Sequence, residues 1–448
     1  MSQGSASVRE KTRWTSGLTS THWRILWGSF LGWIFDGYEA LAPVFVMTPM
    51  LHSVLAPARA AQAGTFAGIV LGVTLIGWGI GGLLGGVFAD YWGRKKVMLW
   101  SVLLYAVFSG ATACASSFWT LCAWRFVTGL AMGSEWSTGV ALVSETWPER
   151  ARAKGVSFLQ SGYGWGTFIA SAAWYAISST NPLGENNWRL MFLLGALPAL
   201  FVLYLRRGVD ESEKWLSAVR KQQWAAAAGS SEQASKPLKR PFPLKQVFAS
   251  AESRRRILLS LLLSIVTSIG LWAVSSWLPS YATSLAQSEG LANASAWGAK
   301  VSIAFTVGTI VAFTIAGFVV DAIGRRPFMC LTFAGSLLMT IVSYRFVSSA
   351  QTMLWVAPID GFFTLGCAYV WMAIYPAELF PSSARASAIS FVFNGARMIA
   401  WVFPILAGSM IHSFGGISQA ALCIGSVYVI GIVVPWFLPE TLNQPLPD

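Results

Sequence analysis

The most informative segment of the chain is Gly86-Val87-Phe88-Ala89-Asp90-Tyr91-Trp92-Gly93-Arg94-Lys95-Lys96, because its pattern occurs again in the second half. The second copy reads Gly317-Phe318-Val319-Val320-Asp321-Ala322-Ile323-Gly324-Arg325-Arg326. Both copies hold a Gly, an Asp four residues later, a Gly three residues after that, and then a basic run. Each copy follows one long apolar run and precedes another.

A second repeated element has nearly the same spacing. The pattern Glu-x-x-Pro-x-x-Ala-Arg-Ala begins at Glu145 and again at Glu378, and this offset is almost that between Gly86 and Gly317. Two independent matches at nearly one offset indicate that the chain consists of two copies of one unit. Internal duplication of this kind is a common construction of secondary transporters, whose solute site lies between the repeats.

The composition places the chain in a membrane. Hydrophobic residues make up 55% of it, charged residues 11%, and the mean hydropathy is +0.57. Ordinary soluble domains carry about 25% charged residues. A net charge of +12 raises the question of a nucleic-acid partner. We reject that partner, because the positive charge lies between apolar segments, where the topology rule for membrane proteins predicts it.

The apolar residues form twelve blocks of the length that crosses a bilayer, about 20 residues each. The predicted spans are 24–50, 66–90, 97–117, 119–144, 155–178, 189–207, 257–281, 299–321, 328–347, 353–376, 386–411 and 418–438. They must be helices, since backbone groups facing lipid have no water to bond. A β-barrel would need short alternating segments instead.

Lys and Arg set the expected orientation. They are concentrated in the first tail, in the repeated motif and in the loop 206–256, whereas the loops 179–187 and 282–298 have none. We therefore expect a multi-pass protein of the inner (plasma) membrane with both termini in the cytoplasm. The first apolar run has full span length, so it is predicted to be a retained helix and not a cleaved leader.

The predicted domain organisation follows from these spans. It comprises an N-terminal tail 1–23, a six-helix bundle 24–207, a linker loop 208–256, a second six-helix bundle 257–438 and a C-terminal tail 439–448. Within the linker, 225–231 has the composition of a flexible segment. The five cysteines, Cys114, Cys122, Cys330, Cys367 and Cys423, lie in or beside apolar spans. We interpret them as packing residues, with no metal site and no cofactor expected.

The duplicated Asp-x-x-Gly-Arg pattern, the twelve spans and the long central loop resemble the major facilitator superfamily. The resemblance implies two pseudo-symmetric six-helix bundles that rock to expose a site to alternate sides. A motif Asp at a helix end can pair with a basic group or cap a neighbouring helix. The residues expected to govern the cytoplasmic gate are Gly86, Asp90, Gly93, Arg94, Glu145, Arg152, Asp321, Gly324, Arg325, Glu378 and Arg385. The alternative, a simple positive anchor, leaves the Asp and both Gly without a role.

A narrower resemblance is to the organic acid:proton symporters of that superfamily, in the aromatic acid, sialate and lactate/pyruvate branches. It rests on four short motifs: Asp36-Gly37-Tyr38-Glu39, Gly133-Ser134-Glu135-Trp136, Asn187-Trp188-Arg189-Leu190-Met191-Phe192 and Asp210-Glu211-Ser212-Glu213-Lys214-Trp215. The resemblance implies a small organic acid as substrate and protons as the coupling ion.

Charged residues inside the spans are the candidate site, since burial in a membrane is costly unless it serves a function. Asp36 lies about twelve residues into its span, or roughly 18 Å along a helix. Arg397 lies near the middle of its span, and a planar guanidinium suits bidentate carboxylate binding. We expect Arg397, Arg125, Tyr38 and Trp371 to bind the substrate. Proton coupling is assigned to Asp36, Glu39, Asp360 and Glu135, because no histidine lies near mid-membrane.

Three structural alternatives stay open for these residues. Asp36 and Arg125 form a permanent ion pair in the first. Asp360 lies close enough to the surface to be solvated in the second. In the third, Arg397 serves helix packing or pairs with Asp360.

The sequence thus predicts a monomeric secondary transporter that imports an organic acid anion with protons. The alternative is a proton-coupled efflux antiporter, or a uniporter of a neutral metabolite or sugar. An enzyme is not expected, because clustered His, Cys or paired acids at one membrane face are absent from the sequence. A membrane sensor would need a folded output domain, and the loop 206–256 is too short and polar for one. The expected partners are therefore the solute, protons and the lipid bilayer.

Overall fold

The fold is helical throughout the part of the chain that the structure describes. The computed structural model describes residues 13–56, 63–198, 200, 210–220, 242–291, 294–400, 410 and 416–447. Within these ranges every regular element is a helix and no strand occurs. The predicted flexible segment 225–231 and the first twelve residues lie outside them.

Six helices form the first half of the chain. They are α1 (Ser20–Val54), α2 (Ala63–Trp92), α3 (Arg94–Ala113), α4 (Phe118–Thr146), α5 (Glu149–Thr180) and α6 (Asn187–Leu194). Two short helices follow in the segment between the halves, α7 (Glu213–Arg220) and α8 (Pro243–Val247). The predicted polar linker is therefore partly helical.

In the second half, several α-helices are continued by segments of another helical type. Its α-helices are α9 (Ala251–Ile269), α10 (Leu278–Ser288), α11 (Ala294–Ile323), α12 (Arg325–Ile341), α13 (Ala350–Gly361), α14 (Ala368–Leu379), α15 (Arg385–Ala400), α16 (Ile417–Gly425) and α17 (Tyr428–Val433). Segments of π-helix lie at Gly270–Val274, Val342–Phe346 and Phe362–Cys367. The first of these segments follows α9, the second follows α12, and the third connects α13 to α14.

Eight stretches of the described residues are long and apolar enough to cross a membrane. They are Ser20–Met47, Ile69–Trp92, Arg94–Ala113, Ala251–Ser288, Trp297–Ile323, Arg325–Phe346, Ala350–Leu379 and Ile417–Phe437. They coincide with eight of the twelve predicted spans. The predicted fourth and fifth spans form α4 and α5, of 29 and 32 residues. The predicted sixth and eleventh spans run into residues outside the description.

The repeated motifs occupy helix ends, and the basic residues that lie between the predicted spans belong to helices. The helix α2 ends at Trp92 and α3 begins at Arg94, so Gly93 alone turns the chain, with φ +103°. Gly324 does the same between α11 and α12, with φ +92°. Only glycine adopts such a conformation without strain. The basic residues therefore form first helical turns, and we call this end of the molecule the motif face.

Helix packing repeats between the two halves. In the first half α1 packs on α5 and α2 on α4, and in the second α9 packs on α15 and α11 on α13. Across the halves α2 packs on α15 and α5 on α11. Corresponding helix pairs of the two halves are therefore in contact, as expected of a duplicated membrane unit.

Close backbone contact holds α2 against α4. A Cβ atom at Gly81 would lie 1.9 Å from the carbonyl oxygen of Leu130. Helices in membranes associate through such small residues, because lipid removes most of the hydrophobic drive to pack. The contact fixes the depth of α4, which carries Arg125 and Glu135.

Candidate functional site

Arg397 lies at the interface between the two halves. Its guanidinium carbon is 4.1 Å from the ring centroid of Trp78, on α2, and 4.0 Å from that of Phe393, one turn earlier on α15. Such cation–π contacts hold a guanidinium in place without using its N–H donors. Its Nη1 is buried and has no hydrogen-bond partner in the described ranges. The sequence alternative in which Arg397 pairs with Asp360 is not present, because Asp360 has other partners.

One acidic side chain lies near this arginine, and a second lies near the first. Asp36 on α1 and Glu135 on α4 are both buried, and their four carboxyl oxygens have no hydrogen-bond partner among the described residues. Asp36 interacts electrostatically with Glu135 and with Arg397. A Cβ at Gly32 would lie 2.1 Å from Glu135 Oε1, so glycine makes room for this carboxyl group on α1. We call Asp36, Glu135 and Arg397 the central cluster.

Aromatic rings of the two halves meet beside the central cluster. Trp136 of the first half stacks on Phe393 of the second, with ring centroids 3.8 Å apart. The indole N–H of Trp136 donates to Gln160 Oε1 at 2.5 Å, and Gln160 donates across the halves to the carbonyl oxygen of Tyr369 at 3.1 Å. These contacts join the two halves beside the central cluster.

A second buried charge pair lies within the first half. Arg125 Nη1 donates to Glu39 Oε2 at 2.9 Å, and its Nη2 donates to the Glu39 carbonyl oxygen at 3.2 Å. Ser109 donates to the other carboxyl oxygen of Glu39. The sequence alternative paired Arg125 with Asp36, and the structure pairs it with Glu39 instead. The depth of Arg125 on α4 matches Glu39, one turn beyond Asp36 on α1.

The two predicted aromatic contacts lie away from Arg397. The Tyr38 hydroxyl donates to the carbonyl oxygen of Met191 at 2.8 Å, which ties α1 to α6. Trp371 is buried in the second half, 6.4 Å from the Phe333 ring centroid, and its indole N–H has no described acceptor. Neither ring is described in contact with the guanidinium.

Asp360 is buried in the second half. Its side chain is bonded to the hydroxyl groups of Ser343 and Thr364, each at 2.9 Å. The alternative in which Asp360 is solvated near the surface is wrong, since the residue is only 1% exposed.

At the motif face, the first repeated motif forms a network that crosses the halves. Arg94 contacts Asp90 at 3.1 Å and Glu145 at 2.9 Å, and it donates to the carbonyl oxygen of Ser382 at 2.6 Å. Arg385 from the second half also donates to Glu145, at 3.0 Å. Gly86 makes room for this crossing, because a Cβ there would lie 2.8 Å from the carbonyl oxygen of Ala386.

The second motif forms a related network whose side chains are more exposed to solvent. Arg325 binds Glu378 through two hydrogen bonds of 2.9 and 2.7 Å and lies 3.3 Å from Asp321. Asp321 also pairs with Lys154 of the first half. The Asp321 side chain is 19% exposed, whereas that of Asp90 is fully buried. Arg152 donates to the Ser144 carbonyl oxygen at 3.0 Å and interacts electrostatically with Glu378.

Two glutamates that the sequence reasoning missed hold the motif helices. Glu211 accepts from the backbone N–H groups of Arg94 and Lys95, at 3.0 and 3.2 Å. Glu440 accepts from those of Arg325 and Arg326, at 2.9 and 3.0 Å. Each caps a helix N-terminus, where an anion is favoured. The sequence does contain a repeat that could have identified these glutamates. A Glu-Ser pair at 211–212 and a Glu-Thr pair at 440–441 are separated by nearly the offset of the two motifs.

The pKa values of these two capping glutamates shift in opposite directions. Burial raises the pKa of Glu211 above its usual value despite its hydrogen bonds. Burial also acts to raise the pKa of Glu440, but four backbone hydrogen bonds outweigh it and lower the pKa.

A further missed repeat joins the halves between the motif face and the central cluster. Ser157 donates to the carbonyl oxygen of Phe313 at 2.5 Å, and Ser390 donates to that of Gly82. The offset between the two serines equals that of the repeated Glu-x-x-Pro element.

In the described ranges no group of three or more His, Cys, Asp or Glu side chains is suited to a metal ion.

Comparison with known proteins places this geometry in context. The family model described as "Sugar (and other) transporter" matches residues 25–448. A putative metabolite transport protein of Haemophilus influenzae is 30% identical, over 96% of this chain and all of that protein. The cis,cis-muconate transport protein of Acinetobacter baylyi is 26% identical, over 96% of this chain and 98% of that protein.

A solved structure has the same fold. The major facilitator superfamily proton:xylose symporter XylE, bound to 6-bromo-6-deoxy-D-glucose, superposes with a TM-score of 0.76 at 20% identity. The match covers 95% of this chain and 98% of that chain.

Proposed function

Because the chain belongs to the sugar (and other) transporter family of the major facilitator superfamily, we propose that it carries an organic acid anion across a membrane together with protons. Its relatives are transporters and not enzymes. Import into the cell by alternating access is the proposed direction and mechanism.

The proposed architecture is twelve spans in two six-helix bundles, 24–207 and 257–438, joined by the linker 208–256. The repeated packing of α1 on α5 and of α9 on α15 supports it. The motif face is assigned to the cytoplasm and the membrane to the inner membrane, since Lys and Arg are concentrated on that side.

The observation that carries the substrate class is the state of Arg397. The guanidinium is held by two aromatic rings at the interface, and its buried Nη1 has no acceptor among the described residues, so it could donate to a substrate carboxylate. The rings of Trp78 and Phe393 would contact the body of the bound acid. The relative named for cis,cis-muconate transport supports an acidic solute.

Proton coupling is proposed for Asp36 and Glu135. Two buried carboxylates near each other repel, which favours a proton on at least one of them. The Arg397 charge favours ionised Asp36 when the site is empty. A substrate anion that binds Arg397 removes this effect, so Asp36 takes up a proton as the substrate enters. Transport of the anion and of the proton is thereby linked.

The other candidates take supporting roles in this proposal. Arg125 and Glu39 already neutralise each other, so they brace α1 against α4 and would reach a substrate only after that pair opens. Tyr38 positions α1 against α6, and Trp371 lies in the second half. The motif networks around Asp90 and Asp321 keep the cytoplasmic side closed in this state, and rocking of the bundles would break them.

Uptake into proteoliposomes tests the proposal. With acid outside and a labelled acid from a panel of mono- and dicarboxylates, uptake should accelerate, and an uncoupler should abolish accumulation. The panel is chosen by a thermal-shift screen, because a ligand that binds the folded state raises its melting temperature. If accumulation of the labelled acid does not depend on pH or on the uncoupler, the protein is not a proton symporter.

The alternative is a carrier of a neutral sugar or metabolite, or an efflux antiporter. The fold match to a proton:xylose symporter is the observation in its favour. Sugars belong in the same screen. Stabilisation by sugars alone, with no response to any carboxylate, would replace the acid by a neutral solute.

A further inference from the structure

Three π-helical segments meet in the second half. The hydroxyl of Tyr344, in Val342–Phe346, donates to the carbonyl oxygen of Val274, in Gly270–Val274, at 2.7 Å. Ser343 donates to Asp360, which lies two residues before the segment Phe362–Cys367. In α1–α6, as described, no π-helical segment occurs. Such segments are rare and often lie at functional sites.

The hydrogen bonds around Asp360 are compatible with a proton on its carboxyl group. The Thr364 hydroxyl lies 2.8 Å from the Asp360 carbonyl oxygen and 2.9 Å from Asp360 Oδ1. A threonine hydroxyl has one proton, which in a helix usually goes to the carbonyl four residues earlier. When that proton goes to the carbonyl oxygen, a proton on Oδ1 that points to the Thr364 oxygen completes the contact with Oδ1. Ser343 donates to the remaining oxygen, Oδ2, at 2.9 Å.

No positive group balances a charge on Asp360 among the residues that the structure describes. Its electrostatic neighbours on the packed elements are the phenols of Tyr344 and Tyr428. Arg345, on the Ser343 segment, is exposed, and Lys300 of α11 lies over Trp297 at 4.5 Å. No described ion pair includes Asp360. An unpaired charge inside a membrane is costly, so the neutral acid is the form that fits this site.

We propose that Asp360 is a second proton-carrying site, separate from the central cluster and loaded by rearrangement of the three π-helical segments. This inference rests on the proposed proton-coupled transport and adds to it a carrier in the second half. None of the described contacts of Asp360 includes Arg397, Asp36 or Glu135.

The surroundings contain the donors that an ionised Asp360 would need. The hydroxyls of Ser275 and Tyr428 are buried and lie within hydrogen-bonding reach of each other. Tyr428 points at the π-helical segment Gly270–Val274, because a Cβ at Gly270 would lie 2.0 Å from its hydroxyl oxygen. When these segments change their pitch, the proton leaves Oδ1 for water. The carboxylate then accepts hydrogen bonds from Thr364 and from such hydroxyls.

The consequence is a proton-to-substrate ratio that exceeds the contribution of the central cluster by one. Replacing Asp360 by Asn should remove one proton per transported solute while leaving the central cluster to couple the rest. Substrate affinity should stay unchanged, since Asp360 is outside the cluster.

The experiment has two parts on the full chain in proteoliposomes. Infrared difference spectra across a pH titration should show a protonated carboxyl band in wild type that Asp360→Asn loses and Glu213→Gln, an exposed control, retains. The equilibrium accumulation of labelled solute at imposed pH gradients should then give a ratio lower by one proton in Asp360→Asn. Ser343→Ala, a smaller change, should shift the pH profile of uptake upward, because the ionised form loses a donor.

The outcomes separate the two proposals. Wild-type uptake that does not respond to a proton gradient contradicts proton symport itself. Proton-driven wild-type uptake, with the same ratio and the same carboxyl band in Asp360→Asn, overturns the second site alone. If Asp360→Asn does not fold, an unshifted pH profile in folded Ser343→Ala overturns it.

Discussion

The carboxylate of Asp90, near the end of α2, accepts a hydrogen bond of 2.9 Å from the backbone N–H of Ser387, which lies far along the chain in the other half. Ser387 belongs to the first turn of α15, where backbone N–H groups lack partners within the helix. Asp90 therefore caps a helix of the other half while it pairs with Arg94. One side chain thus joins the halves on the motif face.

Replacing Asp90 by Asn should slow transport and spare substrate binding. The amide keeps the size of the side chain but removes the charge that favours the N-terminus of α15 and pairs with Arg94. The closed motif face becomes less stable, which shifts the conformational equilibrium, while Arg397 is untouched. Initial uptake rates in proteoliposomes should fall about tenfold, the effect of roughly 1.4 kcal/mol, and calorimetric affinity should change little.

The matched control for this variant is Asp321→Asn. Asp321 is partly exposed and pairs with the lysine side chain of Lys154 and with Arg325. Exposed pairs are worth less than buried ones, so we expect a smaller loss of rate. An equal loss of affinity in Asp90→Asn would place this residue in the binding site.

Arg397→Lys and Arg397→Ala should both weaken binding of an acidic substrate by at least about tenfold, roughly 1.4 kcal/mol. A guanidinium offers two parallel donors and stacks on Trp78, whereas an ammonium group does neither. The measurement is ligand affinity of monodisperse purified variants. Arg345→Lys, on an exposed arginine, is the control. Near-normal affinity in Arg397→Ala would show that the anion binds elsewhere, and Arg125 would be the next candidate.

Glu39→Gln should destabilise the protein by about 3–5 kcal/mol, because it leaves the Arg125 charge buried without its partner. The double variant Glu39→Gln with Arg125→Met removes both charges and should recover most of that loss. Thermal unfolding of purified protein in one detergent measures both. If the double variant is less stable than the single one, the pair does not act as a unit.

Gly81→Ala should destabilise the protein by about 1–3 kcal/mol, since the new methyl group overlaps the Leu130 carbonyl oxygen and pushes α2 from α4. Gly72→Ala on the same helix is the control, because a Cβ there meets nothing within 4 Å. Alanine should stabilise that position by about 0.5–1 kcal/mol through helix propensity. Equal melting temperatures for the two variants would contradict the close approach of the helices.

The two capping glutamates should give opposite pH dependence of stability. The folded-state pKa of Glu440 is lowered, so its stabilising contribution is present above the unfolded pKa and is lost as pH falls through the folded value. The folded-state pKa of Glu211 is raised, so its contribution is present at low pH and is lost as pH rises through the folded value. Melting temperatures of Glu440→Gln and Glu211→Gln against wild type, from acid to neutral pH, measure both. Parallel curves for the two variants would contradict the assignment.

The sequence predicted the helices and their duplication because hydropathy and local motifs carry that information. The helical fold and the family are confirmed, and the offset between Gly86 and Gly317 predicts the two halves. The depth of Arg125 along α4 followed from counting residues. The partner of Arg125 could not be predicted in this way. Counting residues along α1 allows both Asp36 and Glu39, which lie one turn apart on one face of that helix.

By itself, the sequence therefore determined which segments are apolar helices, that they come in two related sets, and which charges they bury. Tertiary structure alone decided that Arg125 meets Glu39, that Arg397 lies against Trp78, and that Asp90 reaches Ser387. The physical reason is that hydropathy sets the depth of a residue in its own helix. The partner of a buried charge depends on the tilt and rotation of neighbouring helices, which are fixed by packing contacts such as that between Gly81 and Leu130.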